Sequence, residues 1–308
     1  MKLTMLYRGP LASCDLDCGY CPFAKRRDSR ATLSQDRTDL ARFISWVSAQ
    51  NRDQLSVLFT PWGEALVRSW YRQALVTLSQ LPHLERVAVQ TNLSTRTSFL
   101  FDANLDTVAL WCTYHPSQVS RPRFLSRVSE LRALGVRHSV GIVGFEEHWG
   151  EAVAVREALP ATTYLWVNAA EGHVYDDAAI ARWTEIDPLF GYSARPHSSL
   201  GRRCRTGSEV VSVRGDGGVT RCHFVPSPLG NLYDGSFRTS LADRPCPLTV
   251  CDCHIGYVHL EHLRLDRVFG SGLLERIPVA FDDRRPVLTV EARAASSQGD
   301  HVDGRPLR

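Results

Sequence analysis

Lysine is scarce in this sequence, and long apolar segments are absent. Lys2 and Lys25 are the only lysines among the 308 residues, and the other side chains counted as positive are arginines. No apolar run approaches the roughly 20 residues that a membrane-spanning helix requires. The first ten residues, MKLTMLYRGP, lack the apolar core of a signal peptide. We therefore expect a cytoplasmic protein that does not enter a membrane.

An excess of charge of either sign is also missing. The formal net charge is +3 at pH 7, and 44% of the residues are hydrophobic against 22% that are charged. These proportions are those of an ordinary globular protein, and a charge balance so close to zero argues against a nucleic-acid partner. A chain of this length can form one large domain, with or without a second small one.

The segment SCDLDCGYCPF (13–23) lacks the fourth cysteine that a structural zinc site normally has. It contains Cys14, Cys18 and Cys21. Cys112 stands alone in the apolar run LWCTY, where a core position is expected, and the other five cysteines fall within 204–253. An odd total of nine cysteines in a reducing compartment argues against a disulfide framework and for metal binding or catalysis.

Strand-like and helix-like hydrophobic patterns alternate from the N-terminus to about residue 187. The predicted buried strands lie at 3–8, 55–60, 86–91, 107–112, 138–144 and 163–168. The predicted helices lie at 39–50, 64–79, 121–134, from 145 to about 159, and 176–186. This alternation favours an α/β fold with a parallel sheet and outer helices, and six units predict a partial (β/α)6 TIM-like barrel. Ligands bind such folds at the carboxyl ends of the strands, where the three-cysteine loop follows the first strand.

The pattern changes after residue 195. Residues 209–224 predict two strands around the turn RGDGG, which together form a β-hairpin. We therefore divide the chain into a barrel at 1–195, a small auxiliary domain with this hairpin at 196–265, and a C-terminal extension at 266–308. Within the extension, residues 292–308 are polar and without periodicity, which predicts a mobile tail.

Three thiolates with an open fourth position suit an iron–sulfur cluster whose remaining iron binds an exogenous ligand. A zinc site is the alternative for this loop, although zinc would normally take four protein ligands from two paired motifs. If the exogenous ligand is S-adenosylmethionine (SAM), electron transfer can cleave its sulfonium and yield a deoxyadenosyl radical.

The spacing Cys14-x3-Cys18-x-Tyr20-Cys21 resembles the signature of the radical SAM superfamily, including the aromatic residue before the third cysteine. The resemblance covers about residues 3–190. It implies that the three cysteines hold a 4Fe–4S cluster, that Tyr20 belongs to the cofactor-binding loop, and that the methionyl amine and carboxylate of SAM chelate the fourth iron. It also implies an external electron donor of the flavodoxin or ferredoxin type.

The segment TPWGEAL (60–66) matches the superfamily less closely. Trp62 stands where the first glycine of a Gly-Gly-Glu motif is common. The resemblance nevertheless implies that Gly63 and Glu64 meet the amine of SAM. For Glu64 the alternative is a carboxylate that stabilises a helix N-terminus through the helix dipole.

Later strand ends supply weaker matches to the same SAM-binding pattern. In QTNLS (90–94), the resemblance implies that Asn92 or Ser94 reaches the carboxylate or the ribose of SAM. It also implies contacts to ribose and adenine from GIVGFEE (141–147) and from WVN (166–168), which includes Asn168.

The five cysteines within 204–253 indicate a second metal site. A zinc ribbon is the alternative, since a hairpin lies between the first two of them. The spacing C-x12-G-x4-C, from Cys204 through Gly217 to Cys222, resembles the twitch or SPASM module of radical SAM enzymes. That resemblance implies one auxiliary 4Fe–4S cluster, although the later cysteines depart from the usual SPASM spacing.

A 4Fe–4S cluster takes four cysteines, so one of the five is left over. Cys251 and Cys253 are close enough in sequence to complete a cluster with the two hairpin cysteines. Cys246 is then the candidate hydrogen-atom donor to a carbon radical, and an exchange of roles between Cys246 and Cys251 is the alternative. A fifth buried thiol without a chemical role is the simpler interpretation.

The combination of the CxxxCxxC loop, one auxiliary cluster and an extra cysteine resembles aminoglycoside-tailoring radical SAM epimerases. The resemblance implies an aminoglycoside substrate in which a sugar carbon is inverted, as C5 of the terminal aminosugar is when neomycin C becomes neomycin B. A polycationic substrate would require pocket carboxylates. Candidates after predicted strand ends are Glu146, Glu147, Glu171 and Asp176, for which solvated loop positions are the alternative.

Three other functions fit the same motifs. A radical SAM dehydrogenase of an aminocyclitol alcohol would pass the second electron to the auxiliary cluster and would not need the spare thiol. A peptide-modifying maturase would form thioether or carbon–carbon links. An iron–sulfur or zinc regulator would bind its metals without turnover.

Overall fold

In the computed structural model, residues 1–24 and 27–282 are described. The tail predicted to be mobile at 292–308 lies outside these residues. None of the helices in the described part is long and apolar enough to cross a membrane.

A parallel sheet of six strands forms the N-terminal part of the fold, in the order in which the strands occur in the chain. All six predicted strands are present. Their bounds are β1 Lys2–Arg8, β2 Gln54–Phe59, β3 Leu84–Thr91, β4 Val108–Tyr114, β5 Arg137–Val143 and β6 Leu165–Asn168. Because each pair is parallel, the carboxyl ends of all six strands meet at one edge.

Helices connect the strands on the outer side of the sheet. Their bounds are α1 Arg30–Ala49, α2 Ser69–Ser79, α3 Arg121–Leu134, α4 Trp149–Ala158, α5 Asp177–Thr184 and α6 Phe190–Ala194. The prediction for α1 began nine residues late, because the helix starts where the Ser29 side chain accepts a hydrogen bond from the Thr32 amide at 3.1 Å. The connection from β3 to β4 is a 3-10 helix, Thr97–Asp102, rather than an α-helix.

The helix predicted at 64–79 is two elements. A 3-10 turn spans Ala65–Val67, and α2 begins only at Ser69 because Arg68 has an extended backbone that breaks the helical path. The turn places the residues that follow β2 against the edge of the sheet instead of on the outer helix.

The side chains of the strands alternate between two apolar cores. Odd-numbered residues of β1, such as Met5 and Tyr7, pack under the outer helices. The opposite face carries Leu6 of β1, Leu58 of β2 and Trp111 of β4, which form the concave interior. Both faces are buried, as expected for a parallel sheet covered by helices.

The predicted hairpin extends the same sheet. Its strands are β9 Val210–Arg214 and β10 Gly218–Cys222, and β11 Val225–Asn231 continues it. Since β9 pairs in parallel with β1, the sheet has nine strands in the order β11-β10-β9-β1-β2-β3-β4-β5-β6. The sheet thus crosses the boundary drawn at residue 195, and the division into domains remains a prediction.

Four two-residue strands stand apart from this sheet as two short antiparallel pairs. They are β7 His197–Ser198, β8 Arg203–Cys204, β12 Arg244–Pro245 and β13 Val250–Cys251, of which β8 pairs with β12 and β7 with β13. These pairs bring 244–251 beside 197–204, and hence bring the later cysteines near Cys204.

The C-terminal segment closes the interior of the open barrel. It contains a short helix, α7 Leu265–Phe269, whose Phe269 packs with Leu274 and Trp111 in the inner core. Glu275 is fully buried, and its carboxylate lies 2.9 Å from Arg137 Nε and 3.6 Å from Arg86 Nε. The extension is therefore joined to the strand starts of β3 and β5 by buried charge.

We expect Glu275→Gln to destabilise the fold by on the order of 3 kcal/mol, because it leaves buried guanidinium groups without their full countercharge. The matched control is Glu85→Gln, which removes an exposed carboxylate 2.9 Å from Lys2 and should cost less than about 1 kcal/mol. Denaturant unfolding of the two variants checks this, and equal losses would contradict the buried role of Glu275.

Candidate functional site

The three-cysteine loop leaves β1 at Arg8 and is fixed at its base by backbone contacts. The amides of Ala12 and Ser13 donate to Asp28 Oδ2 at 2.9 and 2.7 Å. On the other side, Ser13 O accepts from the Glu64 amide at 3.2 Å. The loop therefore lies against the end of β2, at the carboxyl edge of the sheet where the sequence placed it.

Gly63 is required by this close approach. A Cβ at position 63 would lie 1.9 Å from Ser13 O and 2.8 Å from the carbonyl carbon of Ala12, distances that real side chains do not reach. The absence of a side chain is what allows the two loops to touch.

Cys14 faces the loop after β3. Asn92 Nδ2 lies 3.6 Å from Cys14 Sγ and 2.9 Å from Asp15 Oδ1, and the Leu16 amide lies 3.4 Å from the same sulfur. Burial raises the pKa of Cys14 to about 12, with further increases from the charges of Glu64 and Asp15. The thiol therefore keeps its proton at neutral pH until a metal ion replaces it.

Tyr20 supports the loop against the ends of β4 and β5. Its hydroxyl shares a hydrogen bond of 2.8 Å with His115 Nδ1, and its ring centroid lies 5.1 Å from that of Phe145 and 5.4 Å from that of His148. Burial, followed by the charge of His148, lowers the pKa of His115 to about 4, so this imidazole is neutral at pH 7.

Glu64 is buried and joins the ends of β2 and β3. Its carboxylate accepts hydrogen bonds from the Leu66 amide at 2.9 Å, Thr91 Oγ1 at 2.8 Å and the Asn92 amide at 2.6 Å. The bond to Leu66 caps the 3-10 turn, as in the alternative interpretation of Glu64. Burial raises its pKa to about 7 against the opposing effect of these three bonds.

Two further predicted SAM contacts lie along the same edge. Ser94 Oγ is buried and has no hydrogen-bond partner within the described residues, while its amide donates to Asn92 Oδ1 at 2.9 Å. A buried hydroxyl without a partner is costly, so the position fits a polar group of a bound ligand. Asn168 ends β6, where its carbonyl accepts from the Gly144 amide at 2.8 Å.

The five later cysteines line one cavity. They are Cys204, Cys222, Cys246, Cys251 and Cys253. Burial raises the pKa of Cys251 to about 12, and the nearby thiols of Cys253, Cys204 and Cys222 raise it further. Cys251 therefore lies near Cys253, Cys204 and Cys222, and the assignment of these four cysteines to an auxiliary cluster remains a prediction.

The donor set of this cavity, five cysteine thiols, is of the chemical type that holds iron–sulfur clusters. Within the described residues, no three His, Cys, Asp or Glu side chains are arranged to hold one metal ion. A 4Fe–4S cluster binds each thiolate through a different iron, so its ligands stand farther apart than those of a single ion. Gly256 leaves room beside two of the sulfurs, since a Cβ there would lie 3.3 Å from Cys253 Sγ and 3.5 Å from Cys251 Sγ.

Cys246 is held in the cavity wall by its backbone. Its amide donates to Arg202 O at 2.8 Å, and its carbonyl accepts from the Gly201 amide at 2.9 Å. The preceding carbonyl, of Pro245, accepts from Arg221 Nη1 at 2.8 Å. These hydrogen bonds fix the backbone at Cys246 and involve only backbone atoms of this segment, not the Cys246 sulfur.

Two of the four acidic candidates for a cationic substrate have structural partners. Glu146 forms an ion pair with Arg182, and Asp176 caps α5 by accepting from the Ala179 amide at 2.7 Å. Glu147 and Glu171 are exposed. Of the four candidates, Glu147 and Glu171 are therefore the two for which we find no structural role.

Sequence reasoning missed several residues that shape the site. Asp36 is buried in α1, where it accepts from the Leu11 amide at 3.1 Å and from Trp70 Nε1 at 2.7 Å. The sequence does carry a signal for this position, because Asp36 lies on the same helix face as the apolar residues Leu40 and Phe43. His115 and Arg8, adjacent to strand ends, had no such pattern around them.

No protein-family model and no curated protein sequence matches the chain. Twenty-three chains of solved structures do match it. SuiB of Streptococcus suis is 14% identical over 78% of this chain and 67% of its own, with a TM-score of 0.52. Native anSMEcpe with bound AdoMet and the Kp18Cys peptide is 13% identical over 79% of this chain and 81% of its own, with a TM-score of 0.53.

These similarities concern the fold. A second anSMEcpe structure, with bound AdoMet alone, has a TM-score of 0.52 at 14% identity and covers 78% of this chain and 83% of its own. The α/β partial barrel predicted from the alternating pattern and from the radical SAM resemblance is confirmed as the fold of this chain.

We expect Gly63→Ala to displace the base of the three-cysteine loop and to destabilise the fold by about 1–3 kcal/mol, because its Cβ would overlap the backbone at Ser13. Gly150→Ala is the control, because a Cβ at position 150 meets nothing within 4 Å. Denaturant unfolding of the two variants checks this, and equal stability of Gly63→Ala and wild type would contradict the close approach.

The pKa of Glu64 predicts a pH-dependent stability. Since the folded-state pKa is about 7 and the ordinary value is 4.5, the folded protein keeps a proton between these values that the unfolded chain releases. The free energy of unfolding should therefore fall as the pH rises through this window, by at most about 3 kcal/mol. The free energy of unfolding should be measured from pH 4.5 to 8. Its fall with rising pH should be lost in Glu64→Gln and retained in Glu147→Gln.

Proposed function

We propose that this chain is a radical SAM epimerase that inverts a sugar carbon of an aminoglycoside, such as C5 of the terminal aminosugar in the conversion of neomycin C to neomycin B. The resemblance of the sequence to aminoglycoside-tailoring epimerases suggests the substrate. The observation that carries the proposal is the common cavity of the five later cysteines, one thiol more than the four that a 4Fe–4S cluster takes.

The first step belongs to the carboxyl edge of the barrel. Cys14, Cys18 and Cys21 would hold one 4Fe–4S cluster there, which with SAM supplies a deoxyadenosyl radical that removes a hydrogen atom from the substrate. The protein's part is to position these ligands. Asp28 and Gly63 fix the base of the loop, and the Tyr20–His115 hydrogen bond fixes its far end.

The second step would belong to Cys246. Its S–H bond breaks and a C–H bond forms on the face opposite to the one that lost hydrogen, which inverts the carbon. The resulting thiyl radical takes one electron and one proton to restore the thiol. An external donor of the flavodoxin or ferredoxin type would supply the electron. Cys204, Cys222, Cys251 and Cys253 would hold an auxiliary 4Fe–4S cluster near Cys246, and such a cluster would supply one-electron chemistry there.

A peptide-modifying activity is the second candidate. It is favoured by one observation, that anSMEcpe, whose fold is similar, has been solved with bound peptides. A peptide maturase would cross-link or oxidise its substrate, and would not return it with one solvent-derived hydrogen at an inverted carbon.

The test of epimerisation uses wild type and Cys246→Ala with neomycin C and a reductant in deuterated water. We expect wild type to invert the carbon, to install one deuterium from solvent and to consume one SAM per inversion. Cys246→Ala should still release deoxyadenosine and should give no inverted product, because the substrate radical lacks its donor. Mass spectrometry and NMR of the product report both quantities.

The control is Cys112→Ala, which removes a buried core cysteine in β4 and should retain inversion. Inversion by Cys246→Ala would contradict the donor role, and a ketone product would indicate the dehydrogenase. Iron analysis of Cys246→Ala and Cys251→Ala separates the two possible donors. The variant that loses auxiliary iron has lost a cluster ligand, so the other cysteine is the donor.

A further inference from the structure

Arg8 is a cation at the end of β1, where the three-cysteine loop begins. Its Nε donates to Thr60 O at 2.8 Å, and its guanidinium lies 3.8 Å from the centre of the Trp62 ring. It forms no ion pair with a carboxylate within residues 1–24 and 27–282. Burial of a guanidinium without an anionic partner raises the free energy of the folded protein. A negatively charged group bound near Arg8 would offset this cost.

Strand geometry directs Arg8 toward the auxiliary cavity. Leu6 lines that cavity, and Arg8 follows it by two residues on the same face of β1. His223, also in the cavity wall, places Nε2 3.4 Å from Thr60 Oγ1, so Thr60 contacts both Arg8 and His223.

Electrostatics agree with this placement. Burial lowers the pKa of Arg8 to about 10, and the nearby thiol of Cys253 opposes this shift. Arg221 also lines the cavity, and its guanidinium donates to the carbonyls of Pro245 and Arg244 at 2.8 and 3.1 Å.

We propose that Arg8 is the countercharge of the auxiliary cluster and raises its reduction potential. The inference rests on the auxiliary cluster of the proposed function. A cluster with four thiolate ligands is an anion that becomes more negative on reduction, so a nearby fixed cation favours the reduced state. Arg8 acts as a positioning residue through the cluster and needs no contact with substrate.

This role also accounts for Trp62, which departs from the glycine common at its position. Its ring, which is 40% exposed, holds the guanidinium by a cation–π contact at 3.8 Å. An arginine neutralised by the cluster would also not repel a polycationic substrate approaching the same edge.

The test is a redox titration of the auxiliary cluster followed by electron paramagnetic resonance. It uses full-length protein carrying Cys14→Ala, Cys18→Ala and Cys21→Ala, so that only the auxiliary cluster contributes. In this background, Arg8→Gln should lower the equilibrium constant for one-electron reduction about tenfold, a shift of 59 mV toward more negative potential. Arg8→Lys, which keeps the charge, should shift the potential much less.

Arg42→Gln is the matched control. Arg42 also lies over an aromatic ring, 3.7 Å from the centre of Tyr233, but on the exposed side of α1. Equal potentials in Arg8→Gln and Arg42→Gln would overturn the proposal. If Arg8→Gln fails to retain iron, retention in Arg8→Lys supports a charge requirement, and loss in both variants overturns it in favour of packing. Absence of iron from the background protein itself would instead refute the auxiliary cluster of the proposed function.

Discussion

The contact between Ser13 and the Gly63–Glu64 segment is the constraint on which the rest of the site depends. A backbone carbonyl of the three-cysteine loop meets a position that only glycine can occupy, and the next residue carries the buried carboxylate that joins β2 to β3. The loop is therefore located by the sheet edge rather than by its own sequence. Asn92, which donates to Asp15, is located by the same carboxylate through its amide.

Much of the barrel could be predicted from the sequence because hydrophobic periodicity reports burial directly. The bounds of α3 were predicted correctly, since apolar positions and the following Gly135 both mark its end. The start of α1 was missed because its first turns are polar and exposed, and only the Ser29 cap marks them. The 3-10 connection after β3 carries apolar residues without a period that distinguishes it from an α-helix.

The residues of the candidate site also fall into those that the sequence could predict and those that it could not. Spacing within one loop predicted the N-terminal cysteine group, whose members are neighbours in the chain. Its partners from other loops, such as His115 and Phe145, are brought to it only by the sheet. Likewise, the sequence around Arg8 shows only a charged residue at the end of a strand. Its neighbours Cys253 and His223 lie more than 200 residues away in the chain and approach it only in the folded protein.

Pairing between β9 and β1 also joins distant parts of the chain. Strand β1 lies between β2, about 50 residues away in sequence, and β9, about 200 residues away. Closing the longer loop carries the larger entropic cost. The contacts that fix the three-cysteine loop come from residues that precede β9, such as Asp28, Glu64 and His115. The cavity of the later cysteines is instead lined by Leu6 of β1 and by Cys222 of β10, so it is complete only once this longer pairing has formed.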